Sequence, residues 1–249
     1  RRQRQMCIRD RCSTSGEALA LASMSAAAGY GGTMIAVTSS HFGSAEKEFR
    51  FPLGYANQRP LSSHWTVTGS GAFLVQSAEE YRKQNTKSYF SNIRITGVTV
   101  GKIVDYGLKD SQNMGACMAP AAMDTIVQNF QDMERKEKDY DRIITGDLGS
   151  IGRTILFDLI REKGYDICEK HMDCGMTIFD KERQDTHAGG SGCGCAAVTL
   201  ASYVLPKLEK GEWKRVLFVP TGALMSTVSF NEGASVPGIA HGIVLESDA

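Results

Sequence analysis

The order of apolar and polar positions divides most of the chain into alternating strands and helices. Residues 33–40 form a continuous run, Thr-Met-Ile-Ala-Val-Thr-Ser-Ser, which is typical of a strand buried on both faces. Further strands are predicted at 66–76, 93–104, 142–145, within 173–179, at 215–221 and at 239–246. Four helices are predicted: one from about 15 to 29, one that has Pro120 near its first turn and ends at about 133, one at 153–163 and one from about 195 to 210. The pattern is that of an α/β protein.

One arrangement of elements occurs twice in the chain. Cys12 and Cys195 each precede a helix that is followed by two strands, and the first of these strands begins 21 residues after Cys12 and 20 residues after Cys195. The same order at nearly the same spacing predicts two homologous halves. Residues 91–249 are predicted to be a complete βαβαβαββ half, and residues 12–90 the last helix and strands of the other. We therefore expect the first half to be incomplete.

The first eleven residues differ from the rest of the chain. They hold five Arg and one Asp, and they show neither a helical nor a strand period nor the apolar core of a signal peptide. We interpret residues 1–11 as a non-native junction or a disordered segment. A native basic arm is the alternative.

Composition limits the possible functions. Hydrophobic residues make up 42% of the chain and charged residues 22%, which is usual for a globular protein with a buried core. The 28 basic residues balance 28 acidic ones, so charge alone indicates no nucleic-acid partner. No apolar run is long enough for a transmembrane segment. The spacing of the seven Cys indicates no zinc site and no disulfide framework, and nothing in the sequence calls for a metal or another cofactor.

The first candidate for chemistry is Cys12. Thr14 and Glu17 have the spacing of a capping box, which predicts Thr14 as the N-cap of a helix that begins just after the thiol. Free backbone N–H groups and the positive end of the helix dipole favour a thiolate, which is the form that attacks substrates. The alternative is a small buried Cys in front of a packed helix.

Short sequence words carry a resemblance to a known family. They are Cys-Ser-Thr-Ser at 12–15, Ala-Val-Thr-Ser-Ser-His at 36–41, Thr-Val-Thr-Gly-Ser-Gly-Ala at 66–72, Val-Gly-Lys at 100–102, Met-Ala-Pro-Ala-Ala at 118–122, Thr-Gly-Asp-Leu at 145–148, Ala-Gly-Gly-Ser-Gly-Cys at 188–193, Thr-Gly-Ala-Leu at 221–224 and Ile-Ala-His-Gly at 239–242. With the Cys before a helix of a duplicated unit, these words resemble the stage V sporulation protein AD family of the thiolase-like superfamily. The resemblance implies the thiolase-like fold, in which two βαβαβαββ halves stack as α-β-α-β-α layers.

The chain departs from the condensing enzymes of that superfamily where their catalytic partners stand. Those enzymes pair the Cys with His and Asn, or with two His, which move protons and hold the thioester oxygen. Here Gly146 and Asp147 occupy the place where a His is expected, and Gly190 the place of the Asn. A carboxylate at Asp147 would oppose thiolate formation at Cys12. The acyl-transfer machinery is therefore expected to be dismantled, with Cys12 a degenerate catalytic residue.

The resemblance also implies a ligand, partners and a location. The ligand is dipicolinic acid and the partners are the membrane-embedded stage V sporulation A proteins of its uptake complex. The location is the spore or forespore, peripheral to the inner membrane, and a homodimer is possible. A dianion needs hydrogen-bond donors and positive charge, which a helix N-terminus supplies in part. The candidate ligand-binding residues are Cys12, Ser13, His41, Lys102, Asp147 and His241.

Two other functions stay open, and other motifs are predicted to be structural. One alternative is a residual acyltransferase that uses Cys12 with His41 or His241 as base, and another is a scaffold for membrane partners. Isolated in polar surroundings, His64, His171 and His187 are predicted to lie at the surface.

Overall fold

The computed structural model describes residues 12–43, 59–83, 92–225 and 231–248, and the predicted junction at 1–11 lies outside them. The strands are β1 (Thr33–Ser40), β2 (His64–Thr66), β3 (Gly69–Gln76), β4 (Ile93–Thr99), β5 (Arg142–Thr145), β6 (His171–Asp173), β7 (Gly189–Ser191), β8 (Arg215–Val219), β9 (Thr221–Ala223), β10 (Gly238–Ala240) and β11 (Gly242–Ser247). The helices are α1 (Thr14–Ala27), α2 (Ala78–Lys83), α3 (Met114–Asp132), α4 (Gly149–Glu162), α5 (Cys174–Ile178), α6 (Cys193–Thr199) and α7 (Leu205–Glu209).

The largest sheet has five strands in the order β4-β11-β8-β5-β6. Strand β5 runs parallel to β6 and β8, whereas β11 runs antiparallel to β8 and β4. The central strand β8 is buried along almost its whole length, as its continuous apolar sequence predicts. A mixed sheet of this kind is what the predicted βαβαβαββ half requires.

The predicted repeat is visible in the arrangement of the elements. Helix α1 leads into β1, which pairs antiparallel with β3, and α6 and α7 lead into β8, which pairs antiparallel with β11. Helices α6 and α7 are joined by one π-helical turn, Leu200–Val204, so they form one longer helix like the predicted one. The two copies of the unit therefore have the same order and the same strand direction.

The elements form layers. Helices α1 and α6 both pack on the β1–β3 sheet and on each other, and α1 also contacts β11 of the large sheet. Helices α3 and α4 lie on the opposite face of the large sheet. Among the described residues the layers are thus sheet, helices, sheet, helices, in the order that the predicted arrangement gives them. One apolar core fills the space on each face of the large sheet.

A close approach of two glycines joins α3 to α4. A side chain at Gly115 would meet the Leu148 carbonyl oxygen at 2.4 Å, and one at Gly152 would meet the Gly115 backbone at 2.8 Å. The two backbones therefore pack against each other without side chains between them. Because Leu148 directly precedes α4, this contact also holds the turn after β5, where the candidate residue Asp147 lies.

Several predicted boundaries are wrong. Ser13, not Thr14, is the N-cap of α1, and it has helical backbone angles and no side-chain capping hydrogen bond. Pro120 lies inside α3, not at its first turn. The strand predicted within 173–179 ends at Asp173, because the Asp173 carboxylate accepts a hydrogen bond from the Met176 N–H and so starts α5.

Strand β1 is also more exposed than predicted. Its continuous apolar run predicted burial on both faces, but Ile35 and Val37 are 65% and 58% exposed, and Leu74 on the paired strand β3 is 61% exposed. Within the described residues, helices cover only one face of this two-stranded sheet. None of the described helices is both long enough and apolar enough to cross a membrane.

Candidate functional site

Two helix N-termini meet at Cys12. The half-buried Cys12 directly precedes the first turn of α1, and its Sγ lies 4.0 Å from the Ser191 Oγ at the end of β7. Helices α1 and α6 also contact each other at their first residues, where the Cys193 Sγ of α6 lies 3.9 Å from the Thr14 Oγ1 of α1. The positive ends of two helix dipoles therefore face one small region.

The buried carboxylate of Asp147 lies in this region. It is 1% exposed, and its Oδ2 accepts a hydrogen bond from the Gly192 N–H at 3.2 Å. Its Oδ1 accepts one from the Thr221 hydroxyl at 2.9 Å. Burial raises the pKa of Asp147 to about 6, although hydrogen bonds from Cys12, Gly192 and Thr221 favour the charged form. Asp147 therefore connects the Cys12 thiol to loops of the second half.

His241 packs against the first turn of α1. A methyl group at Gly16 would lie 3.4 Å from the His241 Cβ, so no side chain separates them. The His241 Nδ1 accepts a hydrogen bond from the Gly101 N–H at 3.3 Å, which places the proton of the neutral ring on Nε2. Nε2 is buried and has no hydrogen-bond partner among the described residues. Burial also lowers the pKa of His241, so the ring is a neutral donor.

Two hydroxyl groups at the start of α1 also lack partners. Within the described part of the chain, the buried Oγ atoms of Ser13 and Ser15 make no hydrogen bond. Buried polar groups in proteins are satisfied with few exceptions, by the chain itself, by ordered water or by a ligand. The start of α1 therefore has several hydrogen-bonding groups that the described residues leave without a partner.

The structure places the other two candidates at the surface. His41 is exposed, and its Nδ1 accepts a hydrogen bond from the Gly43 N–H at 3.2 Å. The Lys102 side chain is 70% exposed, and its Nζ lies 2.8 Å from the Asp124 Oδ1. The region around the start of α1 thus brings together Cys12, Ser13, Asp147 and His241, whereas His41 and Lys102 point to solvent.

Three further residues, which were not predicted from the sequence, hold the site. Ser191 contacts Cys12, and Thr221 donates a hydrogen bond to Asp147. Asp173 fixes the turn after Asp147, since it accepts hydrogen bonds from the N–H groups of Leu148 and Gly149. Thr221 directly follows the β8 region, at the position that corresponds to the end of β1 in the repeat, and that position was the available signal for it.

The predicted surface position of two histidines is wrong. His64 is fully buried, and its Nε2 lies 3.2 Å from the Leu148 carbonyl oxygen. His171 is largely buried, with its Nε2 2.9 Å from the Thr145 hydroxyl, and burial together with Arg153 lowers its pKa to about 3. Polar neighbours in sequence did not predict exposure, because the Nε2 of each ring is paired with a backbone or hydroxyl group from a distant segment.

The positions where the sequence lacks the expected His and Asn have little space for either. A side chain at Gly146 would meet the backbone of Pro220 and Thr221 at 3.0 Å. One at Gly190 would meet the Ile178 side chain at 2.8 Å and the Phe179 ring at 3.0 Å. Both contacts are closer than side-chain atoms normally approach, so an Asn at 190 would need these neighbours to move.

Solved structures define the class of fold. A tetronic acid condensing enzyme is 14% identical, with a TM-score of 0.57, and the match covers 95% of this chain and 66% of that one. The 3-oxoacyl-[acyl-carrier-protein] synthase III of Aquifex aeolicus is 11% identical, with a TM-score of 0.51 and coverage of 95% and 65%. The chain thus spans just under two thirds of each structure. At this identity the likeness shows the fold alone, which is the thiolase-like fold that the sequence words implied.

Sequence comparison gives the family within that class. The chain matches the family model described as stage V sporulation protein AD across residues 5–246. It is 42% identical over 241 residues to the stage V sporulation protein AD of Bacillus subtilis (strain 168), covering 97% of this chain and 68% of that protein. The chain belongs to the stage V sporulation protein AD family, which confirms the resemblance stated from the sequence.

Proposed function

We propose that this sporulation-family protein binds dipicolinic acid in a degenerate thiolase-type pocket and does not condense acyl groups. In this proposal it serves a dipicolinate uptake complex, together with membrane-embedded stage V sporulation A proteins at the inner membrane of the spore or forespore. Family membership supports the role in sporulation. The ligand, the partners and the location rest on the family resemblance.

The main observation against condensing activity is that the buried carboxylate of Asp147 accepts a hydrogen bond from the Cys12 thiol. A nucleophilic Cys needs a neighbour that removes its proton or stabilises the thiolate. An ionised carboxylate at hydrogen-bond distance does the opposite, because a thiolate would face a second negative charge at low dielectric. The crowded backbone at Gly190 also leaves little room for an amide to hold a thioester oxygen.

Unused donors support a binding role. The His241 Nε2–H and the hydroxyls of Ser13 and Ser15 are buried without partners in the described residues. Carboxylate oxygens accept hydrogen bonds from such groups, and a helix N-terminus adds favourable dipole energy for an anion. The two carboxylates of dipicolinate are acceptors of this kind.

Asp147 makes the proposed binding depend on pH. A dianion close to an ionised carboxylate is repelled, whereas a protonated Asp147 is neutral and can donate a hydrogen bond. Because the pKa of Asp147 is about 6, its protonated fraction rises as the pH falls from 7.5 to 5.5. We expect dipicolinate to bind with proton uptake and with higher affinity at pH 5.5 than at pH 7.5.

Isothermal titration calorimetry of the full chain with dipicolinate tests the proposal. Ser13→Ala and His241→Ala should each weaken binding by roughly tenfold, the usual effect of removing a hydrogen bond to a charged ligand. Lys163→Ala, which changes an exposed cation at the end of α4, is the matched control and should bind like the unchanged chain. Unchanged affinity in both Lys102→Ala and His41→Ala would remove those two residues from the proposed site.

Absence of dipicolinate binding, or normal binding in both the Ser13 and His241 variants, would overturn the proposal. Circular dichroism of each variant separates loss of binding from loss of folding.

The position of Cys12 before α1 favours a second candidate, a residual acyltransferase with Cys12 as nucleophile. Under this alternative a thiol alkylator labels Cys12 rapidly at neutral pH and an acyl-CoA protects it. A scaffold without either activity would show neither dipicolinate binding nor acyl-CoA protection.

A further inference from the structure

A cavity of about 510 Å³ lies at the β6 edge of the five-stranded sheet, apart from the site at Cys12. Strands β5 and β6 and helices α4, α5 and α7 contribute to its wall. The basic and aromatic residues of its wall are Arg142, Arg153, His171, Tyr203, Lys207 and Trp213. Neither Cys12, Asp147 nor Ser191 lines it, although Asp173, which fixes the turn after Asp147, belongs to its wall.

The wall carries cationic groups that lack anionic partners. Arg142 and Arg153 form no ion pair with any described residue, and the Arg153 Nε is buried without a hydrogen-bond partner. Arg142 donates one hydrogen bond, from Nη1 to the Asp141 carbonyl oxygen at 2.7 Å. A guanidinium keeps its charge in proteins and pairs best with carboxylate or phosphate oxygens. With Lys207, these two groups outnumber the two carboxylates of the lining, Asp173 and Glu212, so the cavity keeps a net positive charge.

The acidic groups on the wall offset only part of this charge, and neither of them pairs with the two arginines. Asp173 accepts four hydrogen bonds, from Thr145 and from the N–H groups of Leu148, Gly149 and Met176. Glu212 pairs with Lys207, with 2.5 Å between the Lys207 Nζ and the Glu212 Oε2. Both carboxylates are therefore occupied by partners other than the two arginines.

Aromatic rings hold the cationic groups in place. The Arg142 guanidinium lies 5.5 Å from the centre of the Trp213 ring, and the Lys207 Nζ lies 5.2 Å from the centre of the Tyr203 ring. On the other wall the Arg153 guanidinium lies 5.8 Å from the centre of the Phe157 ring. Cation–π contacts of this kind orient a charged group without neutralising it. The arginines are thus positioned but electrostatically unsatisfied.

We propose that this cavity binds a small organic anion with two or more negative charges, such as a phosphate ester or a polycarboxylate. Its volume lies within the usual range for small-molecule sites, roughly 300 to 1,000 Å³. A ligand with two or more negative charges matches the two guanidinium groups in charge, and its several oxygens can accept hydrogen bonds from both.

Trp213 provides a direct test, because it lines the cavity and the chain has 2 Trp. In a Trp65→Phe background, titration of the full chain with pyrophosphate at constant ionic strength should change the Trp213 fluorescence in a saturable way. A parallel titration with citrate distinguishes polycarboxylates from phosphates. Neither probe is dipicolinate, so the result is independent of the proposed function.

Arg142→Gln and Arg153→Gln should each weaken binding of the preferred probe by roughly tenfold or more. The matched control is Arg161→Gln, also on α4, whose exposed side chain pairs with Asp158 and is not part of the cavity wall. Ser13→Ala should also leave binding unchanged. The proposal is overturned if neither probe gives a saturable change, or if Arg161→Gln weakens binding as much as the two cavity variants, which would indicate general charge screening.

Discussion

The pairing of Cys12 with Asp147 predicts how the thiol responds to loss of the carboxylate. In Asp147→Asn the side-chain amide keeps the shape and the hydrogen-bonding capacity of the site. Its oxygen can accept from the Gly192 N–H and its nitrogen can donate to the Thr221 hydroxyl, which also accepts. The variant therefore removes a negative charge while leaving the contacts largely intact.

The size of the effect follows from Coulomb's law. Two unit charges about 4 Å apart interact by about 4 kcal/mol at an effective dielectric of 20, which corresponds to about 3 pH units. Local rearrangement and water will reduce this value, so we expect a shift of at least about 1 unit toward lower pH in the alkylation profile. At pH 7.5 this means an alkylation rate at Cys12 at least about tenfold higher than in the unchanged chain.

The assay is alkylation by iodoacetamide, followed by mass spectrometry of the peptide that contains Cys12. Cys168, which is also partly exposed, serves as an internal reference whose rate should not change. Thr221→Val is the matched control, because it removes the two hydrogen bonds between the Thr221 hydroxyl and Asp147 and keeps the charge. A rate at Cys12 that stays constant relative to Cys168 in correctly folded Asp147→Asn would refute the electrostatic argument.

Three further predictions concern stability and are measured by urea denaturation. The pKa of His171 is lowered from 6.5 to about 3, so the native state resists a protonation that the unfolded state accepts. The free energy of unfolding therefore decreases as the pH falls below 6.5, by about 3 kcal/mol between pH 6.5 and 4, and His171→Gln should not show this loss. Equal losses in both proteins would contradict this. Gly152→Ala should destabilise by about 3 kcal/mol, because a methyl group would lie 2.8 Å from the Gly115 backbone; a neutral effect would show that α3 and α4 can separate. Tyr140→Phe should cost about 1–3 kcal/mol by leaving the buried Asn129 oxygen, 2.6 Å from the Tyr140 hydroxyl, without that donor, and an unchanged urea midpoint would mean that another group replaces it.

Local patterns predicted those parts of the fold that depend on neighbours in sequence. The helix after Cys12 follows from its Ala-rich sequence and the strands of both repeats from apolar runs and equal spacing, and the structure has them in the predicted order. The exposed face of β1 did not follow, because a continuous apolar run reports the character of a strand and not which layers cover it. Ile35 and Val37 show this difference most clearly.

The candidate site was predictable only where a sequence word marked it. Cys12 and Asp147 stand in such words, and the structure places them in contact. Ser191 and Thr221 also stand in such words, but their roles, like that of Asp173, depend on contacts across many residues that a single sequence does not show. His64 was misplaced for the same reason, since the Leu148 carbonyl that accepts from it is 84 residues away along the chain.

The meeting of two helix starts has a consequence for how the molecule assembles. Cys12 touches Ser191, and Thr14 touches Cys193, in each case across 179 residues of chain. Closing a loop of this length costs conformational entropy, which the contacts formed at the site must offset. The site at Cys12 therefore needs segments that lie far apart in the chain. A ligand bound there would contact both segments at once, so its binding would stabilise the native state in which they are packed together.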